Sequence, residues 1–409
     1  MTIEEARAFL AERGQEQILR FYDELSASER QSLLAQIEAI DWSILKNMDA
    51  PQDLSGAGNV IEPISGLDLK AIERQKAEFY AVGKDAIQKG KVACVLLAGG
   101  QGTRLGVDGP KGKYDIGITK PVYIFERLIR NLQEVTEGVG SVVPLYIMTS
   151  EKNHDETVAF FAEHDYFGYP KAAIRFFRQE MAPAVDFNGK VLLEEKGRIA
   201  LSPNGNGGWF RSMQRAGFTE EFLRSGVEWL NVFAVDNVLQ RMADPVFVGA
   251  TVLSGADSGA KAVVKVDPHE KVGVLCYENG RPSIIEYYEL TEEMATAKDE
   301  NGAYSYRYGV ILNYLFALSR LSETAEKEMP LHIVRKKVPY VDETGNFIKP
   351  EKENAYKFET LVLDMIRLMG DCLPFEVERN REFAPIKNKT GVDSVESARK
   401  LLQENGVEL

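Results

Sequence analysis

The stretch "KVACVLLAGGQGTRLGVDGPKGKYDIG", residues Lys91–Gly117, joins a buried-strand pattern to a dense glycine loop. Its apolar run, Val92–Ala98, has the length and composition of a strand that is covered on both faces. Several glycines, an arginine and a Pro-Lys-Gly sequence follow directly. A strand that leads into such a loop is typical of α/β proteins that hold a phosphate-bearing ligand.

The loop matches neither of two common nucleotide-binding motifs. A dinucleotide-binding fingerprint requires G-x-G-x-x-G, but Gly106 follows Gly102 one residue too late. A P-loop requires four residues between its glycines and a Ser or Thr after its lysine. Here five residues separate Gly106 from Gly112, and Tyr114 follows Lys113. These departures disfavour a dehydrogenase and a P-loop kinase.

The composition of the loop nevertheless favours anion binding. Gly99, Gly100 and Gly102 permit close approach of the backbone, so successive N–H groups can face phosphate oxygens. Arg104 and Lys111 add a forked and a point-like cation that can neutralise a polyphosphate. The alternative is a structural strand-to-helix turn with surface charges, and the density of glycine and positive charge favours anion binding over it.

Short apolar runs alternate with helical patterns after Lys91, which predicts an α/β layer structure with a mostly parallel sheet. The predicted strands are Val92–Ala98, Pro144–Thr149, Ile174–Phe177, Trp229–Val235, Lys261–Val266 and Val272–Cys276. The predicted helices are Leu69–Gln88, Val122–Leu132, Asp155–Glu163, Glu353–Met369 and a final helix with Asp393 as N-cap and Gly406 beyond its end.

The first 45 residues or so also predict helices. Thr2 with Glu5 and Ser28 with Gln31 have the spacing of capping boxes. The stretch Asp49–Gly66 is rich in Pro, Gly and Ser and predicts an ordered loop or linker.

Charge, cysteine and histidine content disfavour several protein classes. The formal net charge of −13 argues against a protein that tracks a nucleic-acid backbone. The three cysteines form no CxxC pair and the four histidines show no metal-ligand spacing, so we expect neither a disulfide framework nor a zinc site. No signal-peptide pattern opens the chain, and no apolar run approaches the roughly 18 residues of a membrane span. We expect a cytoplasmic protein that binds no nucleic acid and no membrane.

The glycine loop also resembles a family signature. The pattern "LLAGGQGTRLG…PKG.YD.G" is similar to that of eukaryotic-type UTP:sugar-1-phosphate uridylyltransferases, in particular the UDP-N-acetylglucosamine pyrophosphorylase branch. The resemblance covers about residues 15–390. Further segments that resemble the family, in family order, are "LRFYDELSASER", "FFRQEMAPAV", "LSPNGNGGWF", "FAVDNVLQRMADPVFVG", "GAKAVVKVDPHEKVGVL", "IIEYYEL", "KKVPYVDETGNFIKP" and "FAPIKN".

The resemblance implies a fold and a division of the chain. It implies an α/β fold with a Rossmann-like, GT-A-like nucleotidyltransferase domain and a mixed, mostly parallel sheet. An N-terminal helical region at residues 1–88 and a small C-terminal region at 351–409 would flank a catalytic domain at 89–350.

The implied reaction is transfer of a uridylyl group from UTP to a sugar 1-phosphate, with release of pyrophosphate. The sugar phosphate oxygen is already ionised and attacks the α-phosphorus in line with the leaving group. The protein therefore needs no side-chain nucleophile, and its work is positioning and neutralisation of charge.

The resemblance assigns residues to each part of the substrates. The implied nucleotide-binding residues are Leu97, Ala98, Gly99, Gly100, Lys111, Gln179 (for uracil), Gly205, Asp236 and Lys387. The implied sugar-binding residues are Asn206, Glu286 and Tyr287. Arg104, Lys111 and Asp236 are the implied catalytic residues. Asp236, at the carboxyl end of an apolar strand, would ligate a Mg²⁺ that bridges phosphate oxygens, and a helix N-cap is its alternative role.

Two positions point to different sugars. Val310 stands where the N-acetylglucosamine branch typically carries an amide. Asn206, in contrast, resembles that branch more than the UDP-glucose branch, which tends to carry histidine there. N-acetylglucosamine 1-phosphate is favoured, and a UDP-glucose, UDP-galactose or broad UDP-sugar pyrophosphorylase is the alternative.

A third interpretation is a non-catalytic sensor that only binds UDP-sugars. It would require the loss of Arg104, Lys111 or Asp236, and all three are present. The expected assembly is a monomer or homodimer.

Overall fold

The computed structural model describes residues 1–46, 59–324 and 329–409. Its α-helices are α1 (Ile3–Ala11), α2 (Ala27–Ala39), α3 (Ser43–Lys46), α4 (Leu69–Gln88), α5 (Ile124–Val139), α6 (His154–Glu163), α7 (Trp209–Arg215), α8 (Phe218–Ser225), α9 (Pro245–Ser254), α10 (Glu292–Thr296), α11 (Leu318–Thr324), α12 (Asp364–Leu368), α13 (Arg379–Glu382) and α14 (Val395–Glu404).

The strands are named in the same way. They are β1 (Ile61–Pro63), β2 (Val92–Leu97), β3 (Leu145–Thr149), β4 (Ile174–Arg178), β5 (Met181–Pro183), β6 (Val185–Asp186), β7 (Leu193–Glu195), β8 (Arg198–Ile199), β9 (Leu201–Pro203), β10 (Trp229–Ala234), β11 (Ser258–Val264), β12 (Val274–Glu278), β13 (Arg281–Ile285), β14 (Tyr308–Ala317), β15 (His332–Lys336), β16 (Tyr340–Val341), β17 (Phe347–Ile348), β18 (Ala355–Glu359) and β19 (Cys372–Glu376).

The chain folds into two compact units, each built from three segments. The first unit comprises Met1–Leu54, Glu180–Gly208 and Met329–Leu361, and the second comprises the segments between and after them. The contiguous division predicted at residues 88 and 350 does not describe these units. Helix α4 belongs to the second unit, and two later segments of the chain complete the core of the first.

A mixed sheet organises the second unit. Its main path runs β1-β12-β14-β10-β2-β3-β4, with β13 beside β12 and with β11 between β14 and β19. Strands β10, β2, β3 and β4 are mutually parallel, whereas β14 is antiparallel to β10. Every residue of β2 and β3 is buried, as expected for parallel strands covered on both faces. The carboxyl ends of these four strands therefore meet at one edge, where open α/β sheets bind ligands.

The first unit packs helices against small antiparallel sheets. Its largest sheet has the order β15-β18-β6, and the pairs β5-β9, β7-β8 and β16-β17 accompany it. Leu33 and Ile37 of α2 and Phe358 of β18 are fully buried in one apolar cluster. The apolar residues of the N-terminal helices thus pack against chain segments that come much later in the sequence.

Most predicted elements are confirmed. Helix α4 has the predicted bounds, and all six predicted strands are present with ends shifted by up to three residues. The capping box of Thr2 with Glu5 is also present. Of the predicted linker Asp49–Gly66, the part up to residue 58 lies outside the described residues, and β1 occupies part of the rest.

Three local predictions are wrong. The helix predicted at Glu353–Met369 is strand β18 followed by the short helix α12, because β18 pairs along its whole length with β15 and through Ala355 and Tyr356 with β6. The second capping box is formed by Ser26 with Glu29, since a glutamate side chain reaches back to the Ser26 N–H. The N-cap of α14 is Ser394.

Candidate active site

The carboxyl ends of β2 and β10 lie side by side. The two strands are parallel, and Leu97 is paired with Ala234. The N–H of Val235 donates to the Leu97 carbonyl over 3.1 Å. The loop that leaves β2 and the Asp236 that follows β10 therefore start next to each other at one edge of the sheet.

The loop after β2 folds back on itself. The N–H of Gly102 donates to the Gly109 carbonyl over 2.9 Å, and the N–H of Lys111 donates to the Gly100 carbonyl over 3.2 Å. These bonds bring Lys111 back beside the first glycines of the loop. Arg104 is exposed on the turn in between.

The loop offers main-chain donors to a ligand. Within the described part of the chain, the consecutive N–H groups of Gly99, Gly100 and Gln101 have no hydrogen-bond partner. Successive free N–H groups of this kind make an anion-binding concavity. Leu97 and Ala98, also predicted to contact the nucleotide, are buried, and their main chain takes part in bonds between neighbouring strands.

Positive charges converge on Asp236. The ammonium of Lys111 lies 4.0 Å from a carboxylate oxygen of Asp236, and the two side chains are 12% and 27% exposed. Burial lowers the pKa of Lys111; the Asp236 charge opposes that effect, whereas Arg104 and Lys387 add to it. Two further cations predicted to meet phosphates thus act on Lys111, and like charges gathered in this way favour an anionic ligand.

Lys387 reaches this place through the segment that follows α13. The N–H of Ile386 donates to the Asp236 carbonyl over 2.9 Å, and Asn237 accepts from the N–H of Ala384 over 2.9 Å. The Lys387 ammonium forms an ion pair with Asp393 at 2.9 Å. Because an ammonium has three donors, this pair leaves capacity for a phosphate oxygen.

Gln179, predicted to recognise uracil, lies against the glycine loop. Its N–H donates to the Thr149 carbonyl over 2.8 Å at the end of β3, and its side chain is buried. A Cβ added to Gly99 would lie 2.1 Å from the Gln179 side-chain oxygen. Only glycine at position 99 lets the amide rest there.

Gly205 and Asn206 belong to the first unit, on a turn held by its own chain. Gly205 has φ of +86°, and a Cβ there would lie 2.2 Å from the Thr360 carbonyl oxygen. The N–H of Gly207 donates to the same carbonyl over 2.8 Å. Gly205 therefore has a structural reason to be glycine that is independent of a ligand, and Asn206 is half-buried in the same turn.

Glu286 and Tyr287, predicted to bind the sugar, follow β13. Strand β14 continues past its last pairing with β10, and its Gly309 pairs with Val274 of β12. Val274 in turn pairs with Ile285 of β13. This register places the end of β13 beyond the carboxyl end of β10, at the same edge of the sheet as Asp236.

The donor set around Asp236 fits a magnesium ion that is bound mainly by its substrate. Over the described ranges, no group of three or more His, Cys, Asp or Glu side chains could hold a metal ion. Asp236 is a single, partly exposed carboxylate beside the cations. Mg²⁺ commonly takes one or two carboxylates and completes its shell with phosphate oxygens and water.

Asn153 and Asp393 were missed as site residues by sequence reasoning. Asn153 is fully buried and contacts the loop after β2, and Asp393 holds the Lys387 ammonium. Each stands just before a helix, so its local pattern indicates only a cap or a turn. No signal in the sequence reveals the Asn153 contacts, because their partners lie in the loop after β2, more than fifty residues earlier in the chain.

Comparison with known proteins decides the family. Residues 57–408 match the family model described as "UTP--glucose-1-phosphate uridylyltransferase". The chain belongs to this family. The predictions of a uridylyltransferase enzyme and of its α/β fold are thereby confirmed.

Individual relatives are similar over most of their length. The mouse "UDP-N-acetylhexosamine pyrophosphorylase-like protein 1" is 38% identical over 411 residues, covering 95% of this chain and 81% of that protein. The "UDP-N-acetylglucosamine pyrophosphorylase" of Saccharomyces cerevisiae is 36% identical, covering 95% and 86%. The structure of the uridine diphosphate N-acetylglucosamine pyrophosphorylase from Trypanosoma brucei with an inhibitor has a TM-score of 0.83 and 28% identity, covering 98% and 84%.

None of the described helices combines the length and the apolar character that crossing a bilayer requires.

Proposed function

We propose that this chain forms a UDP-sugar and pyrophosphate from UTP and a sugar 1-phosphate, with N-acetylglucosamine 1-phosphate as the preferred acceptor. The observation that carries the proposal is the placement of Lys111 beside Asp236, within reach of the charges of Arg104 and Lys387 and next to a loop whose N–H groups are free in the described part of the chain. A triphosphate requires this combination of backbone donors and cations.

The loop and the cations act on the phosphates. The N–H groups of Gly99 and Gly100 bind phosphate oxygens, and Arg104, Lys111 and Lys387 offset the charge that passes to the leaving pyrophosphate. The acceptor phosphate is itself the nucleophile, so the chain contributes orientation and electrostatic stabilisation. Gln179 offers both a donor and an acceptor to the uracil edge.

Asp236 would hold the magnesium ion. The bound ion supplies positive charge to phosphate oxygens that the side chains do not neutralise. The Lys111 ammonium lies 4.0 Å from the same carboxylate.

The names of the relatives favour the acetamido sugar. Curated relatives at 36–38% identity are named N-acetylhexosamine or N-acetylglucosamine pyrophosphorylases. In this proposal Asn206, Glu286 and Tyr287 contact the sugar, the carboxylate accepting from its hydroxyls. The second candidate is a pyrophosphorylase of glucose, galactose or several UDP-sugars. Val310 favours it, because position 310 carries a half-buried apolar side chain where an amide was expected. Val310 lies on β14, on the extension that pairs with the β12–β13 hairpin.

We also propose a cytoplasmic enzyme that acts as a monomer or homodimer. Its three cysteines are free and buried. Burial raises the pKa of Cys276 and of Cys372 to about 12, so both thiols stay protonated and unreactive. A fold that needs no disulfide suits a reducing compartment.

The test is pyrophosphate release from UTP with four sugar 1-phosphates, those of N-acetylglucosamine, N-acetylgalactosamine, glucose and galactose. Each is assayed with Mg²⁺ and with excess EDTA. We expect release with N-acetylglucosamine 1-phosphate, abolished by EDTA, and a loss of at least about a hundredfold in kcat for Asp236→Ala. Release with glucose or galactose alone would favour the second candidate. Activity that survives both EDTA and Asp236→Ala would refute the metal site. No pyrophosphate release with any of the four sugar 1-phosphates would refute the proposed reaction.

A further inference from the structure

Asn153 occupies the N-cap position of α6 but does not cap that helix. Its side chain is fully buried, and it makes no bond to the first turn of α6. An asparagine at this position ordinarily accepts from the N–H groups of its own helix. A residue that departs from the expected local pattern in this way points to partners elsewhere in the fold.

The amide of Asn153 bonds to the loop after β2 instead. Its NH₂ group donates to the Ala98 carbonyl over 3.0 Å and to the Gly100 carbonyl over 3.4 Å. Its oxygen accepts from the N–H of Ser150 over 2.7 Å. The orientation of the amide follows from chemistry, since two partners are pure acceptors and the third is a pure donor.

These bonds determine where the free N–H groups of the loop point. In a trans peptide the C=O and N–H point in opposite directions. The Ala98 carbonyl shares its peptide group with the N–H of Gly99, and the Gly100 carbonyl shares its peptide group with the N–H of Gln101. By drawing both carbonyls inwards, Asn153 directs both N–H groups away from itself, and these are two of the three free donors described above.

These two bonds form a clamp on the loop. Without the clamp the peptide between Ala98 and Gly99 could rotate, because glycine has access to more backbone conformations than other residues. The peptide between Gly100 and Gln101 would then be held by the bond from the Lys111 N–H alone, at 3.2 Å. A rotated peptide would present a carbonyl oxygen to a phosphate and repel it.

We propose that Asn153 is a positioning residue that orients the main-chain donors for the phosphates of UTP. The proposal rests on the proposed function, in which this loop binds UTP. It predicts a defect specific to the nucleotide, since the clamp acts on the loop after β2 and on no predicted sugar contact.

Two variants of Asn153 distinguish the loss of its bonds to the loop from a general loss of stability. Asn153→Asp is nearly isosteric and still accepts from Ser150, but it cannot donate and it faces two carbonyl oxygens. Asn153→Ala removes the donors without adding a negative charge, and it decides the question if the aspartate variant does not fold. The matched control is Asn405→Asp, because Asn405 also donates to two carbonyls, those of Asn380 and Leu401, over 2.7 and 2.8 Å.

The measurements are the UTP dissociation constant by calorimetry, the KM for each substrate, and the midpoint of thermal unfolding. We expect both Asn153 variants to raise the Kd and KM for UTP by about tenfold or more and the KM for the sugar 1-phosphate by less than about twofold. Asn405→Asp should leave both KM values unchanged even where it lowers the unfolding midpoint.

Equal increases in both KM values, or unchanged UTP binding in folded variants, would overturn the positioning role. A wild-type protein that binds UTP but releases no pyrophosphate would refute the proposed reaction instead, and the calorimetric comparison would still test Asn153.

Discussion

The glycine loop at Gly99–Gly102 and the glycine turn at Gly205–Gly208 look alike in sequence but use their glycines differently. At the turn, a Cβ on Gly205 or Gly207 would overlap the backbone of the segment Thr360–Leu361. At the loop, a Cβ on Gly100 would meet nothing within 4 Å. The turn is filled by its own backbone, whereas Gly100 of the loop faces open space. In the described part of the chain the N–H groups of Gly99, Gly100 and Gln101 are unbonded.

The difference shows what identifies a ligand-binding glycine sequence. Density of glycine predicts close approach of a backbone, but the approaching group can be another part of the same chain. Free main-chain donors and converging cations are the additional features at the loop. The predicted uridine contact of Gly205 therefore stays a prediction, with a structural role for that glycine already established.

The largest effect on stability is expected for Gly205→Ala. The new side chain would be strained at φ of +86° and would overlap a carbonyl oxygen that is hydrogen-bonded in place. We expect a loss of about 3 kcal/mol or more in the free energy of unfolding, measured by urea denaturation. Gly14→Ala is the control in the same unit, with φ of +62° and only a lysine amine at 3.7 Å. Equal, small losses for both variants would contradict the tight contact at the turn.

Gly99→Ala should mainly impair nucleotide binding. The obstacle to its Cβ is the end of the Gln179 side chain, which can move aside. We expect a loss of only about 1 kcal/mol in stability and an increase of about tenfold in the KM for UTP, because the uracil-binding amide is displaced. A normal KM for UTP would argue against the role proposed for Gln179.

Gly100→Ala is the more discriminating change, because the protein itself leaves room for it. Its methyl group matters only if a ligand approaches the backbone. We expect an unchanged midpoint of thermal unfolding and a several-fold weaker binding of UTP by calorimetry. Unchanged binding would mean that phosphates do not approach this glycine.

The smallest expected effect is a pH dependence from Lys111. Burial lowers its pKa, so the free enzyme loses this positive charge at a lower pH than an exposed lysine would. We expect kcat/KM for UTP to fall as the pH rises through that lowered pKa. Lys111→Arg keeps its charge throughout and should lack this part of the decline. If the arginine variant declines identically, another group titrates.

Local sequence patterns predict the elements that form the site but not the contacts between those elements. The buried runs of β2 and β10 and the placement of Asp236 after β10 follow from short stretches of sequence. The helix predicted at Glu353–Met369 failed because β18 is stabilised by pairing with β15 and β6, which are distant in the chain. Asn153 was missed for the same reason, since its carbonyl partners lie in the loop after β2 and its neighbours indicate only a helix cap.

The central claim is that the loop after β2 holds the phosphates of UTP, and Lys111 and Lys113 test it most directly. The two lysines stand on the same short turn, but Lys111 is turned towards Asp236 whereas Lys113 is paired with Glu156. The measurement is calorimetric binding of UTP to Lys111→Ala and to Lys113→Ala. We predict a loss of affinity of about thirtyfold or more for Lys111→Ala and of less than about twofold for Lys113→Ala. Equal affinities for the two variants would contradict the claim.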